Sequence, residues 1–96
     1  GADLLEANLT DVQMMGAQLF EVVLSRARLL RSDLRRTILS GADLVQADLT
    51  HAYLGRTNLV KANLTDAILS GAELSSANLA GATLTGTTMP DGKVHR

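Results

Sequence analysis

The side chains able to do chemistry are few. His51 and His95 are the only imidazoles, and there is no cysteine, which excludes disulfides, thiolate chemistry and cysteine-based zinc sites. A metal site or acid–base pair would need each imidazole to meet a second ligand or a carboxylate. Asp33, Asp43 and Asp48 are of the type that makes a glycosidase-like carboxylate pair, provided they share a concave site that drives their pKa values apart. Hydroxyls such as those of Thr10, Thr50 and Ser70 have no base beside them, and no GxGxxG motif or phosphate-binding loop is present. What remains is arginine. Arg26, Arg28, Arg31, Arg35 and Arg36 crowd one short stretch and Arg56 follows. Guanidinium groups suit carboxylate and phosphate partners.

The elements that position these groups obey a rule of five. Written in fives from Gly1, residues 1–90 form 18 units without insertion or deletion; the fourth position is Leu in 16 of them and Met in two, Met14 and Met89. The second position is Ala in 12 units and otherwise Val12, Val22, Ser32, Thr37, Thr57 or Thr87. No comparable rule governs the first, third and fifth positions. Five residues of α-helix advance about 500°, so leucines at this spacing would scatter round the helix and leave no apolar face. In a flat strand they would alternate between faces. Both failures vanish if the chain turns a corner once per unit, with the second and fourth residues inward and spaced by two, as an extended segment requires.

Composition agrees with a lattice of equivalent positions. The 96 residues bound one small domain. Phe20 and Tyr53 are its only aromatics, so the core is Leu and Ala instead of aromatic bulk. A net charge of −1 argues against a general nucleic-acid binder. No apolar run approaches the roughly 20 residues that span a bilayer, and no signal-peptide pattern opens the chain. Gly1 stands already inside a repeat, as expected of a trimmed or processed chain.

Units such as Gly41-Ala42-Asp43-Leu44, Gln46-Ala47-Asp48-Leu49, Lys61-Ala62-Asn63-Leu64 and Ser76-Ala77-Asn78-Leu79 resemble the pentapeptide-repeat family, whose consensus is A(D/N)LXX. The resemblance spans residues 1–90. It implies an all-β fold, a right-handed quadrilateral β-helix with four units per coil. The solenoid would hold about four and a half coils in a stack on the order of 22 Å tall. After Thr87 the pattern breaks: Pro90 has no N–H to offer a following coil and Asp91-Gly92 is a turn signal. Residues 87–96 are therefore expected to form a cap or tail, and Met89-Pro90-Asp91-Gly92 followed by Val94-His95 is similar to the endings of cyanobacterial members. The N-terminal end has no such cap, and a coil edge exposed from Gly1 invites another chain.

With four units per coil, residues 20 apart stack in columns. Counted by coil, residues 1–20 carry −3, residues 21–40 carry +3, and the coils 41–60 and 61–80 carry −1 each, a basic belt beside acidic neighbours. Arg26 should sit over Glu6 and Arg31 over Asp11, with Arg28 facing Asp48. Arg35, Arg36 and Arg56 lack a carboxylate in their columns and are the expected partner-binding residues. Leu5, Met15, Phe20, Val23 and Leu30 should face solvent; Leu5, Met15 and Phe20 are the expected self-association residues, through a homodimer or stacking at the uncapped end. His51 shares its column with Asp11, Arg31 and Gly71, which is no ligand set. The carboxylates lie on convex faces. Hydroxyls at the fifth position are expected to bond along the ladder, and the recurrent Asn8, Asn58, Asn63 and Asn78 to supply outward polarity.

No enzyme activity, cofactor or metal is expected, and no nucleic acid or membrane partner. The reading is a structural or protein-interaction module. The resemblance implies an alternative, a DNA-mimic inhibitor or protector of DNA gyrase, but mimicry calls for a long, strongly acidic rod and this chain is short with an arginine belt. The resemblance also implies a cytoplasmic or thylakoid-lumen setting, with the cytoplasm preferred.

Overall fold

The computed structural model describes residues 3–95. Gly1, where the uncapped edge was expected to begin, and Arg96, the end of the expected cap or tail, lie outside the described residues. Each unit makes one side of a four-sided coil. Third-position residues pair in parallel with residues 20 further on, from Asp3 with Val23 through to Ile68 with Thr88. Four units therefore complete one turn, and the molecule measures 28 × 24 × 20 Å. Among the described residues no helix is long and apolar enough to cross a membrane.

The backbone bonding explains why a five-residue unit suffices. In the unit beginning at Glu21, the Leu24 N–H donates to the Asp43 carbonyl at 2.7 Å and the Arg26 N–H to that of Val45 at 2.8 Å, both in the next coil. The Asp43 N–H donates back to Val22 at 2.9 Å. The corner is closed by the Ala27 N–H on the Leu24 carbonyl at 3.0 Å. This is a β-turn, and its third residue is the first of the next unit. Every first-position residue from Glu6 to Gly86 has a positive φ, between 53° and 62° for the twelve that are not glycine, the pattern of a type II turn. A left-handed residue with a side chain ordinarily costs about 1–2 kcal/mol. The turn bond and two ladder bonds hold it there at the corners from Glu6 to Gly71. The regularity of the first position is thus conformational, and residue type alone hides it.

The fifth-position N–H is the one amide that this scheme leaves without a backbone partner. Every Asp or Asn at a third position accepts it. Asp43 Oδ1 takes the Val45 N–H at 3.1 Å, and Asn63 Oδ1 takes both the N–H and the hydroxyl of Thr65, at 3.1 and 2.6 Å. Third-position asparagines therefore do more than present polarity outward, which corrects the sequence expectation. The fifth-position threonines also depart from it. Thr10, Thr50 and Thr65 donate to the side chain two residues earlier, not along the ladder.

Inside, the fourth-position leucines from Leu24 to Leu69 are at most 1% exposed. The ends are open: Leu4, Leu9, Met14 and Leu19 at one, and Leu74, Leu79 and Leu84 at the other, are only partly buried. Buried threonines replace alanine without orphaning their hydroxyls. Thr37, Thr57 and Thr87 donate to the carbonyls of Met14, Leu34 and Leu64, each 23 residues earlier. The chain ends by doubling back at Pro90–Gly92, where Val94 pairs antiparallel with Thr88 and the His95 N–H donates to Thr87.

Candidate functional site

The column map predicts two ion pairs that the structure forms: Arg26 with Glu6 at 3.2 Å and Arg31 with Asp11 at 2.8 Å. The Arg31 guanidinium holds the Asp11 carboxyl below the ordinary carboxylate range by hydrogen bonding. Arg28 and Asp48 stack as backbone neighbours yet form no ion pair. Asp48 Oδ1 is already occupied by the N–H and hydroxyl of Thr50 at 3.1 and 2.6 Å. A further correction concerns Arg35. It has no carboxylate in its own column, but Asp33, two residues earlier, grips it with both oxygens at 2.9 and 2.7 Å. Hydrogen bonding to Arg35 lowers the Asp33 pKa, and Asp33 raises that of Arg35. Columns alone miss this contact because third and fifth side chains of one unit emerge beside each other.

Arg36 and Arg56 do stand without a carboxylate partner among the described residues. They are first-position neighbours in adjacent coils, at corners with φ 59° and 57°. Beside them the fifth-position column reads Met15, Arg35, Gly55, Ser75. Gly55 contributes no side chain; the nearest atoms to a Cβ placed there would be Arg35 Cγ and the Ser75 carbonyl, both at 3.7 Å. The gap opens a groove of about 640 Å³ that is lined by Met15, Arg35, Arg36, Gly55, Arg56, Glu73, Ser75 and Ser76. The three arginines singled out in the sequence are thus brought together. Tyr53, which the sequence argument passed over, sits in the third-position column between Asp33 and Glu73. It is 46% exposed and close enough to influence Arg35. Its signal was available: it is the only tyrosine, in the column that borders the arginine corner.

The apolar residues are dispersed. Leu5, Met15 and Phe20 are 46%, 60% and 55% exposed, but they occupy three different corners of the first coil. Met15 joins the arginine groove. Phe20 borders a second, smaller depression with Glu21, Gly41, Val60 and Lys61. Val23 and Leu30 are half-buried. The His51 ring borders Gly71, where an added Cβ would collide with Nδ1. Among the described residues no group of His, Asp and Glu could hold a metal ion.

The family pattern of pentapeptide repeats, eight copies long, matches residues 17–56 and again residues 47–86. The chain belongs to the pentapeptide-repeat family. Solved structures agree with this. The pentapeptide-repeat protein Rfr23 of the cyanobacterium Cyanothece 51142 is similar with a TM-score of 0.91 at 35% identity, over 98% of this chain and 64% of its own. A pentapeptide-repeat protein from the Arabidopsis thaliana thylakoid lumen gives 0.77 at 32% identity, over 79% and 52%. A third, from Nostoc Pcc 7120, gives 0.59 at 36% identity, over 83% and 62%. The chain spans between about half and two thirds of the length of these structures. No curated protein matches it significantly in sequence. The right-handed quadrilateral β-helix of pentapeptide-repeat proteins accounts for the 20-residue columns observed here.

Proposed function

We propose that this pentapeptide-repeat module, a stiff rod of about four and a half coils at strand spacing, binds a protein partner through the corner groove at Gly55. The observation that supports it most directly is the convergence of Arg35, Arg36 and Arg56 on a concave strip with Met15 at one end and Tyr53 alongside. Arg, Tyr and Met are residue types enriched at protein interfaces, and Arg and Tyr recur among the side chains that dominate binding energy. The backbone beneath is fixed by four ladder or turn bonds in each interior unit, so docking would order little that is not ordered already.

A photo-crosslinking side chain at Ser75, on the groove floor, tests this against the same side chain at Thr65, on another corner. Capture of a discrete partner from Ser75 alone, lost in the Arg36→Ala/Arg56→Ala double variant, is the expected result. Equal capture from both corners, or capture indifferent to the arginines, removes the proposal.

A further inference from the structure

The groove has a feature that a merely basic surface lacks. In the first-position columns, charged neighbours one coil apart are otherwise of opposite sign, as in Glu6–Arg26 and Asp11–Arg31. Elsewhere a neutral residue intervenes, as Gly41 does between Glu21 and Lys61. Arg36 directly above Arg56 is the exception. Like charges facing each other across a ladder are destabilising, so the pair calls for a dianion between its guanidinium groups.

The backbone beside the pair offers matching donors. A fifth-position N–H is accepted by an Asp or Asn two residues earlier in eight units. At Gly55 and Ser75, as at seven other fifth positions that carry an N–H, no Asp or Asn stands two residues earlier; here the third-position residues are Tyr53 and Glu73, and neither N–H donates to any group among the described residues. Both residues line the groove, as do Ser75 and Ser76 with their hydroxyls. Two guanidinium groups, two unpaired amides and two hydroxyls around a gap make a donor set for a tetrahedral oxyanion. Glu73, whose field reaches Arg35, bounds the set with a negative charge. It therefore favours one compact dianion over a polyanion such as nucleic acid.

We infer that the groove receives the phosphate monoester of a phosphorylated serine or threonine on the partner. This rests on the docking reading above and names the chemistry that it recognises. Such an ester is mostly dianionic above a pKa of about 6 and has enough oxygens to engage both arginines.

The test is an amide-resolved NMR titration of the full chain at pH 7.5 and fixed ionic strength. The probes are a blocked phosphoserine peptide flanked by alanines, the same peptide unphosphorylated, and inorganic phosphate. Saturable shifts at Gly55 and Ser75 with the phosphoserine peptide are expected. They should weaken at least tenfold in Arg36→Gln/Arg56→Gln, whose melting temperature should not fall below the parent value because a like-charge repulsion is removed, and strengthen severalfold in Glu73→Gln. Loss of affinity at pH 5 should accompany protonation to the monoanion. Three results overturn the inference: no saturable shift, shifts spread equally over Arg26 and Arg31, or binding of inorganic phosphate alone. If the crosslink from Ser75 survives phosphatase treatment of the extract, the docking reading stands and the phosphate inference falls.

Discussion

Ser32 gives the sharpest test of how the lattice treats its second position. The residue is fully buried, and its Oγ has no hydrogen-bond partner among the described residues. The three buried threonines show what a hydroxyl there can do: each donates to the fourth-position carbonyl 23 residues earlier, at 2.6–3.0 Å. The matching carbonyl for Ser32 is that of Leu9, which takes only the turn bond from the Val12 N–H at 3.1 Å. A buried hydroxyl without a partner costs about 1–3 kcal/mol. Alanine already fills this position in 12 units, so Ser32→Ala removes the penalty without opening a foreign cavity. The expected gain is about 1–2 kcal/mol, which in a domain of this size raises the melting temperature by about 4–8 °C per kcal/mol. Thr57→Ala is the counterpart. It gives up a satisfied bond of 2.7 Å to Leu34 and should lower stability by about 0.5–1.5 kcal/mol. Scanning calorimetry of the two variants at one protein concentration decides the matter. If Ser32→Ala melts at or below the parent temperature, the Ser32 hydroxyl is satisfied in solution and the reasoning is wrong.

Three further outcomes follow from individual contacts. Gly71→Ala should destabilise by at least about 1 kcal/mol, because φ is +65° and the new Cβ meets the His51 ring; in a His51→Ala background the loss should shrink, a coupling that a double-mutant cycle reads directly. Asn63→Ala should cost about 1 kcal/mol and speed hydrogen exchange of the Thr65 amide, while Asn63→Asp, which keeps the acceptor, should do neither. The Asp33 pKa is depressed in the fold, so its contribution is present above the unfolded value, near 4, and disappears as pH falls through the folded value. Asp33→Asn should therefore be less stable than the parent at pH 7 by a margin that closes below about pH 4, measured by urea unfolding across that range.

The interior was legible because one residue type at one position reports one fact. Leu or Met at every fourth position can only mean burial once per unit, and the 20-residue columns then follow from the family's four sides. Two ion pairs were readable the same way, since Arg26 and Glu6, or Arg31 and Asp11, differ only in coil. What escaped was everything decided within a unit. The grip of Asp33 on Arg35 and that of Asp48 on Thr50 depend on third and fifth side chains emerging together, which counting by twenty does not register. The left-handed first position was invisible for another reason. Glycine occupies only five of the seventeen described corners, so residue type hides a conformation that hydrogen bonding enforces.

That same local rule is what makes function separable from fold in this chain. A third-position Asp or Asn spends its oxygen on the fifth-position amide, and a first-position charge with a charged neighbour one coil away otherwise meets its opposite, as in Glu6–Arg26 and Asp11–Arg31. A corner that breaks both habits at once retains donors that the lattice has not used. Tyr53 and Glu73 break the first habit at consecutive coils, Arg36 and Arg56 break the second at the adjoining position, and Gly55 clears the space between them. None of these five residues belongs to the core: the second and fourth residues of their units, Thr37 and Leu39, Ala52 and Leu54, Thr57 and Leu59, Ala72 and Leu74, keep to the residue types of the repeat. The proposed phosphate ligand would neutralise the two stacked guanidinium groups at this corner.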